Sequence, residues 1–212
     1  MAVQNTFESD LFQQCLKFHG HLCPGLSFGY QAATAGMAWL ETHRAADEEV
    51  VAIVETDACG CDAIQVVTGC TFGKGYFIYR NYGKTAFTFF SRQTGKGVRL
   101  ARKPEGKGPI DTEHRALMAK IKQGTASEEE RQAFRAKHEA ASHKILAMAP
   151  EELFTISEVT VPLPEKARIE PSINCARCNE PTMSTKMVDH GGELICRGCW
   201  SEGRDGIRLV PQ

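Results

Sequence analysis

The chain has 212 residues, of which 42% are hydrophobic, and its formal net charge is −1 at pH 7. This length and hydrophobic fraction are sufficient for one domain of ordinary size and a small additional module. No apolar run approaches the ~20 residues of a membrane span, and the amino terminus lacks the basic and apolar regions of a signal peptide. The composition therefore excludes a membrane protein and predicts a cytoplasmic globular protein.

Cysteine usage and charge distribution narrow the function classes. Nine cysteines, several in closely spaced pairs, indicate metal binding or redox chemistry, because disulfide frameworks are rare in the cytoplasm. Residues 1–73 contain two basic and nine acidic residues, whereas residues 74–107 contain nine basic residues and one acidic residue. The basic segment favours either a site for a small anionic ligand or a charge match within the chain.

Periodicity and turn residues predict an α+β domain at residues 1–164. The expected elements, in chain order, are helices at 7–18 and 26–43, a strand at 49–55, a helix at 62–67, an antiparallel meander of strands at 76–80, 85–91 and 98–101, a helical hairpin within 111–149, and a strand at 156–161. The domain thus combines an antiparallel sheet, helices and a helical hairpin. A proline-containing linker then leads to a small module at residues 173–212.

The small module carries two cysteine pairs, Cys175-x-x-Cys178 and Cys196-x-x-Cys199, separated by seventeen residues. This spacing is typical of two zinc knuckles that supply four thiolates at the corners of a tetrahedron. About forty residues cannot build a sufficient hydrophobic core, so a bound metal would take its place. The sequence therefore predicts a zinc ribbon whose four-ligand site is structural.

The larger domain holds a second group of metal-ligand types in FHGHLCPG, residues 18–25. His19 and His21 point the same way only if the backbone is extended. Pro24 suits the first turn of a helix, which places Cys23 at the N-cap, where the helix field favours a thiolate. Further cysteines outside the ribbon, all in loops or at helix ends, could join the two histidines on one metal: Cys23, Cys59, Cys61 and Cys70.

Four blocks of the larger domain resemble the family of the E subunit of formylmethanofuran dehydrogenase. They are CLKFHGHLCPG at 15–25, CGCDAIQ at 59–65, TGCTFGK at 68–74 and GKTAFT at 83–88. The resemblance implies an α+β domain with a metal site near these motifs, dimerisation, and an association with molybdenum or tungsten formyl or formate chemistry. The carboxy-terminal cysteines also resemble the zinc-ribbon tail of some family members. Cys61 is an additional thiol within the second block.

We expect Cys59, Cys70 and His21 to hold the amino-terminal metal, with His19 as the fourth ligand and zinc as the metal. Cys59 and Cys70 flank a predicted helix of ~15 Å, and bent loops could bring both sulfurs towards one point. Cys23 and Lys74 are expected to face the ligand, as candidate catalytic residues. Lys74 lies between two glycines and offers an ammonium group to an anion.

The leading functional interpretation is a homodimeric metal-binding protein. It would accompany a molybdenum- or tungsten-dependent oxidoreductase, or handle a ligand for it. One alternative is a stand-alone small enzyme that uses the metal as a Lewis acid or Cys23 as a thiolate. Another is a nucleic-acid-binding zinc-ribbon protein, although residues 165–212 contain equal numbers of basic and acidic residues and so lack the expected positive charge.

Overall fold

The computed structural model describes residues 6–47, 49–104, 110–160, 162–166 and 170–201. The chain divides into two compact units, Met1–Lys166 and Ala167–Gln212. Among the described residues, no helix combines the length and the apolar character that crossing a membrane requires.

The larger unit is built on a mixed five-stranded sheet. Its strands are β1 (Val50–Val54), β2 (Phe77–Tyr79), β3 (Ala86–Ser91), β4 (Gly97–Arg102) and β5 (Phe154–Val159), in the spatial order β2-β1-β3-β4-β5. All neighbouring pairs are antiparallel except β1 and β2, in which Ala52 lies opposite Phe77 in a parallel ladder. The strands of the centre, β1 and β3, are buried along their full length, as expected for β-branched and aromatic runs.

The position of β2 corrects the expected antiparallel meander of three strands. β3 pairs with β1 and β4, and β2 lies on the far side of β1. The reason is the helix α3 (Gly60–Thr68), which carries the chain from the end of β1 back to its start. A strand that follows such a crossover joins the sheet parallel to the first strand.

The helices α2 (Pro24–Trp39) and α3 pack on one face of the sheet, and α1 (Asp10–His19) packs on these two helices. The small residues of α2 allow the close backbone approach that the sequence predicts. A Cβ atom on Gly29 would lie 2.2 Å from the carbonyl oxygen of Gly60, and one on Gly36 would lie 2.3 Å from the Phe89 ring. Both contacts lie within the chain: the first fixes α2 against the start of α3, and the second fixes α2 against β3.

A helical hairpin follows β4 and consists of α4 (Thr112–Lys122) and α5 (Glu128–Ala147). The expected capping box at the start of α5 is present, with Ser127 and Glu130 bonded to each other's backbone N–H groups. At the other end, the buried Gln31 amide donates to the carbonyl oxygens of Ile145, Leu146 and Met148 at 2.9–3.0 Å. The short helix α6 (Pro150–Leu153) then returns the chain to β5.

The hairpin contains a pair of imidazoles, one buried and one half-buried, which the sequence did not single out. His114 Nε2 lies 3.0 Å from His138 Nδ1, and His114 is only 1% exposed. Phe134 packs on both rings, at 5.2 Å and 4.8 Å between ring centroids. Burial lowers the pKa of both histidines, so each ring resists protonation in the folded protein.

The smaller unit consists of two short hairpins and one helical turn. The strands β6 (Ser172–Asn174) and β7 (Pro181–Met183) form the first hairpin, and β8 (Met187–His190) and β9 (Glu193–Cys196) form the second. The turn α7 (Arg197–Trp200) follows directly. Large apolar side chains of this unit are exposed, among them Trp200 at 54%, so it contains little apolar core of its own.

Candidate metal centres

The four cysteines of the smaller unit lie together at the ends of its two hairpins. Their sulfur atoms all lie within 4.8 Å of one another. The Cys196 N–H donates to the Cys175 sulfur at 3.2 Å, and the Cys199 N–H donates to the Cys196 sulfur at 3.3 Å. Backbone N–H groups of this kind stabilise thiolates, and those of Cys178 and Cys196 lower the pKa of the Cys175 thiol to about 6. The cluster has the composition and compactness of a four-cysteine ribbon site.

The second centre joins the end of α1 to the start of α2. Ligand atoms of His19, His21 and Cys23 all lie within 4.8 Å of one another. Gly20 takes the left-handed conformation at the C-cap of α1, with φ of 92°, which ends the helix and frees His21 from it. The His19 and His21 rings lie 4.4 Å apart between centroids. The two histidines therefore lie side by side, but not through the extended backbone that the sequence suggested, because His19 ends α1 and Gly20 is left-handed.

His19 is held in an orientation and tautomer suitable for a metal ligand. Its Nδ1 lies 2.7 Å from an Asp62 carboxylate oxygen, so this nitrogen carries the ring proton and donates a hydrogen bond to the carboxylate. The remaining Nε2 atom lies 3.6 Å from the Cys23 sulfur. A tetrahedral zinc site with Zn–S of ~2.3 Å and Zn–N of ~2.0 Å places its nitrogen and sulfur about 3.6 Å apart. The spacing of this pair therefore fits zinc.

Asp62 is the residue of this centre that the sequence reasoning missed. The sequence pattern placed it only at the start of the predicted helix at 62–67. In the structure it lies in the first turn of α3, and its side chain accepts a hydrogen bond from His19. A carboxylate that orients a ligating histidine is a regular partner of zinc sites. The signal was its place three residues after Cys59 in the second family block, which the sequence reasoning did not connect with His19.

Cys23 occupies the predicted N-cap of α2, and its sulfur accepts from the Leu26 N–H at 3.3 Å. Cys23 does not have the free thiolate that its N-cap position predicts, because the residue is only 4% exposed. Burial, with a smaller contribution from the neighbouring Cys59, outweighs the Leu26 N–H and raises the pKa of Cys23 to about 11. A bound cation would supply the compensating charge and release the proton, as ligation by cysteine requires.

Cys59 lies beside Cys23 at the N-cap of α3. A Cβ atom on Gly25 would lie 3.1 Å from the Cys59 Cβ, 3.7 Å from its sulfur and 3.8 Å from the Cys23 sulfur. Glycine at this position therefore lets the two thiols approach the same space. The close approach of Gly29 and Gly60 keeps the two helix starts, and with them the two cysteines, together.

The other predicted site residues lie apart from this centre. Cys70 is fully buried at the opposite end of α3, ~13 Å along the helix, and its thiol donates to the Val50 carbonyl at 3.3 Å. Lys74 lies at that same end and donates to the carbonyls of Ala46 at 2.9 Å and Gly69 at 3.4 Å. The Cys61 thiol donates to the Thr56 carbonyl at 3.1 Å. The structure thus does not bring Cys70 and Lys74 to the histidines, which differs from the expected arrangement.

The three candidate ligands of the centre are one fewer than a tetrahedral zinc ion takes, so a metal bound here would have a position for a fourth ligand. His19 and Cys23 are shielded, whereas His21 is exposed, so solvent reaches the cluster from the His21 side. Closed structural zinc sites use four protein ligands, and sites with three keep room for water or a ligand. Either Cys59 or an external molecule can complete this set.

Comparison with known proteins agrees with the family resemblance and the fold. A protein of Archaeoglobus fulgidus named "Probable S-adenosyl-L-methionine-binding protein" is 32% identical over 200 residues, which cover 90% of this chain and 53% of the relative. The chain thus spans about half the length of that relative. The fold resembles the crystal structure of an FmdE-like protein from Syntrophus aciditrophicus, FmdE being the E subunit of a tungsten formylmethanofuran dehydrogenase. The TM-score is 0.57 at 22% identity, with coverage of 96% of this chain and 99% of that one.

The family model described as "FmdE, Molybdenum formylmethanofuran dehydrogenase operon" matches residues 18–155. The match begins at the FHGHLCPG segment and ends within β5, so it includes the His/Cys cluster, the whole of α3 and the helical hairpin. It covers more than half of the chain, and the chain therefore belongs to the FmdE family.

Proposed function

We propose that this protein binds a metal ion at the His19, His21 and Cys23 cluster and acts as an accessory or ligand-handling protein for molybdenum- or tungsten-dependent formyl or formate chemistry. The observation that supports the metal site is the His19 ring, whose Nδ1 is bonded to Asp62 while Nε2 faces the Cys23 sulfur. The family's description supports the association with formylmethanofuran dehydrogenase.

Zinc is the proposed metal at both centres. The ribbon cluster offers four sulfurs, and the amino-terminal cluster offers two imidazoles and one sulfur, with Cys59 adjacent. Mixed imidazole and thiolate sets suit zinc and other borderline or soft metals. At the amino-terminal centre the ion would supply a Lewis acid next to the solvent-exposed side. His19, held by Asp62, would keep its position while a ligand enters beside His21.

Metal analysis of purified variants tests the ligand assignment. Cys23→Ser and His21→Ala should each lose about one metal equivalent of the amino-terminal centre while the ribbon keeps its own. Cys70→Ser is the matched control, because it removes a buried thiol at the far end of α3 and should retain both equivalents. Loss of metal in Cys70→Ser with full retention in Cys23→Ser would restore the ligand set expected from the sequence.

A second candidate is a stand-alone enzyme, and the open coordination position favours it. The name of the Archaeoglobus relative suggests S-adenosyl-L-methionine as the first molecule to test against the metal-loaded protein. Calorimetric titration of wild type and Cys23→Ser with this compound distinguishes the candidates. Binding that depends on the metal supports the ligand-handling role, and turnover of the bound compound in the absence of any partner protein supports the enzyme.

We also propose that the protein is a homodimer. The buried residues of α5 all lie in its last two turns, so most of the hairpin packs only on itself within the described chain. An exposed hairpin of this type offers a surface that a second copy of the chain can cover. Sedimentation equilibrium at micromolar concentration should give twice the monomer mass, and a compact monomer would contradict the proposal.

A further inference from the structure

The basic segment of the sequence forms a cavity at the end of β4. The cavity has a volume of about 380 Å³ and is lined by side chains and backbone from two stretches, Lys84, Thr85, Ala86, Arg99, Ala101, Arg102, Lys103 and Pro104. This volume lies at the lower end of the range of small-molecule sites, ~300–1,000 Å³. None of these residues belongs to either cysteine cluster.

The charge of the cavity lining is strongly positive. Four of the lining residues are cationic, Lys84, Arg99, Arg102 and Lys103, and none of the lining residues is acidic. Glu55 accepts from Arg99 at 2.8 Å and 3.0 Å and so compensates the charge of Arg99. Lys84 and Lys103 form no ion pair with another described residue, so the lining keeps a positive charge. A concave site of one sign concentrates ions of the opposite sign.

Both arginines are already held in place by the protein. Arg99 uses Nε and Nη2 in a two-point bond to the nearly buried Glu55, which leaves Nη1 available on the other edge of the guanidinium. The Arg102 guanidinium carbon lies 4.4 Å from the centroid of the Phe28 ring. Held guanidinium groups lose little conformational entropy on binding an oxyanion, and their planar donors match carboxylate and phosphate oxygens.

The two lysines complete the site as adjustable charges. Lys84 is exposed at the rim, and its positive charge is near enough to contribute to the lowered pKa of Glu55, after the larger effect of Arg99. Lys103 donates to the backbone carbonyl of Glu151 and contacts no carboxylate in the described chain. A small anion with one charge would leave one of the two lysine charges uncompensated.

We propose that this cavity binds a small organic anion with at least two carboxylate or phosphate groups. Arg99 and Arg102 would contact its oxygens directly, and Lys84 and Lys103 would close over the remaining charge. The site is independent of the metal centres in its residues, although Glu55 directly follows β1 and Cys59 lies four residues further along the same loop.

Calorimetric titration of the full-length protein tests the proposal with two probes, tricarballylate for carboxylates and fructose 1,6-bisphosphate for phosphates, and acetate as the singly charged control. Saturable binding of either probe, weakened by added salt, is the expected result. Arg102→Gln should weaken it by about tenfold, and Lys84→Gln or Lys103→Gln by roughly threefold. The stronger of the two probes identifies the oxyanion class.

Lys96→Gln is the matched control, since it removes the same charge from the exposed turn at the other end of the β3–β4 hairpin and should leave affinity unchanged. The metal content of every variant is measured as well and should equal that of wild type, which separates failure of this site from failure of the metal centre. Absence of saturable binding to both probes, or equal losses in Lys84→Gln and Lys96→Gln, would overturn the proposal. So would tighter binding of a single-stranded oligonucleotide that strengthens with its length.

Discussion

At the scale of single residues, the Asp62 carboxylate is expected to strengthen metal binding at the amino-terminal centre without being a ligand itself. It accepts from His19 Nδ1 at 2.7 Å and thereby fixes which nitrogen faces Cys23. Asp62→Ala should lower the metal affinity of this centre by about 10- to 100-fold, the usual effect of removing such a partner. Competition with a chromophoric chelator measures it.

Asp10→Ala is the control for this experiment, because Asp10 is an exposed carboxylate in the first turn of α1, as Asp62 is in the first turn of α3. It should leave metal affinity unchanged. Equal affinities for wild type and Asp62→Ala would show that His19 does not depend on the carboxylate, and the proposed ligand role of its Nε2 would lose its main support.

Gly29 is a residue at which a single added methyl group should be strongly destabilising. Alanine would gain ~1 kcal/mol of helix propensity, but its Cβ would meet the backbone oxygen of Gly60 at 2.2 Å. Backbone cannot rotate aside, so the overpacking cost of ~3 kcal/mol outweighs the gain. Urea unfolding should show Gly29→Ala less stable than wild type.

Gly73→Ala provides the comparison, because nothing lies within 4 Å of a Cβ at that position. Its stability should lie within ~0.5 kcal/mol of wild type. If the two alanine variants were equally stable, the α2–α3 contact would have more freedom than the structure indicates.

At the scale of elements, the His114–His138 pair should make the helical hairpin sensitive to acid. Burial lowers the pKa of both rings, with Asp111 opposing and Lys137 adding to the effect at His114, and with His114 and then His21 adding to it at His138. The unfolded chain therefore binds protons that the folded chain excludes, and stability falls as the pH drops below the unfolded value of ~6.5.

Urea unfolding at pH 7.5 and pH 5.5 measures this dependence. His114→Gln should reduce the loss of stability between the two pH values, because one of the protons that drive unfolding is removed. His43→Gln, at an exposed position beyond α2, should keep the loss as in wild type. An unchanged pH dependence in His114→Gln would contradict the assignment.

Most elements could be predicted from the sequence, but not all of their pairing or their side-chain contacts. The continuous β-branched run and the capping box predicted β1 and α5, because those signals are local. The parallel pairing of β2 was missed since the short turn before β3 suggested a hairpin, whereas the crossover by α3 determined the topology. Likewise, Cys70 appeared close to His21 only because the direction of α3 was unknown.

At the scale of the whole molecule, the two units should fold independently. The larger unit has an extensive apolar core, whereas the ribbon buries few apolar side chains and has four clustered cysteines. A chain that ends at Lys166 should therefore unfold cooperatively and keep the amino-terminal metal, with about one equivalent less than the full chain. Circular dichroism and metal analysis check both points, and a metal-free truncated protein would contradict the presence of two centres.

The sheet register also has a consequence for how this chain can change in length. Arg102, at the end of β4, lies directly opposite Phe154, at the start of β5, so the chain leaves and re-enters the sheet at one point of the ladder. Residues 103–153 therefore form one long connection between two adjacent strands. Because the entropic cost of closing such a connection rises only with the logarithm of its length, the sheet should tolerate additions or deletions at the α4–α5 turn. That turn is therefore the position at which related chains can diverge in length, or at which a reporter domain can be inserted, without disturbing the strands beneath the metal centre.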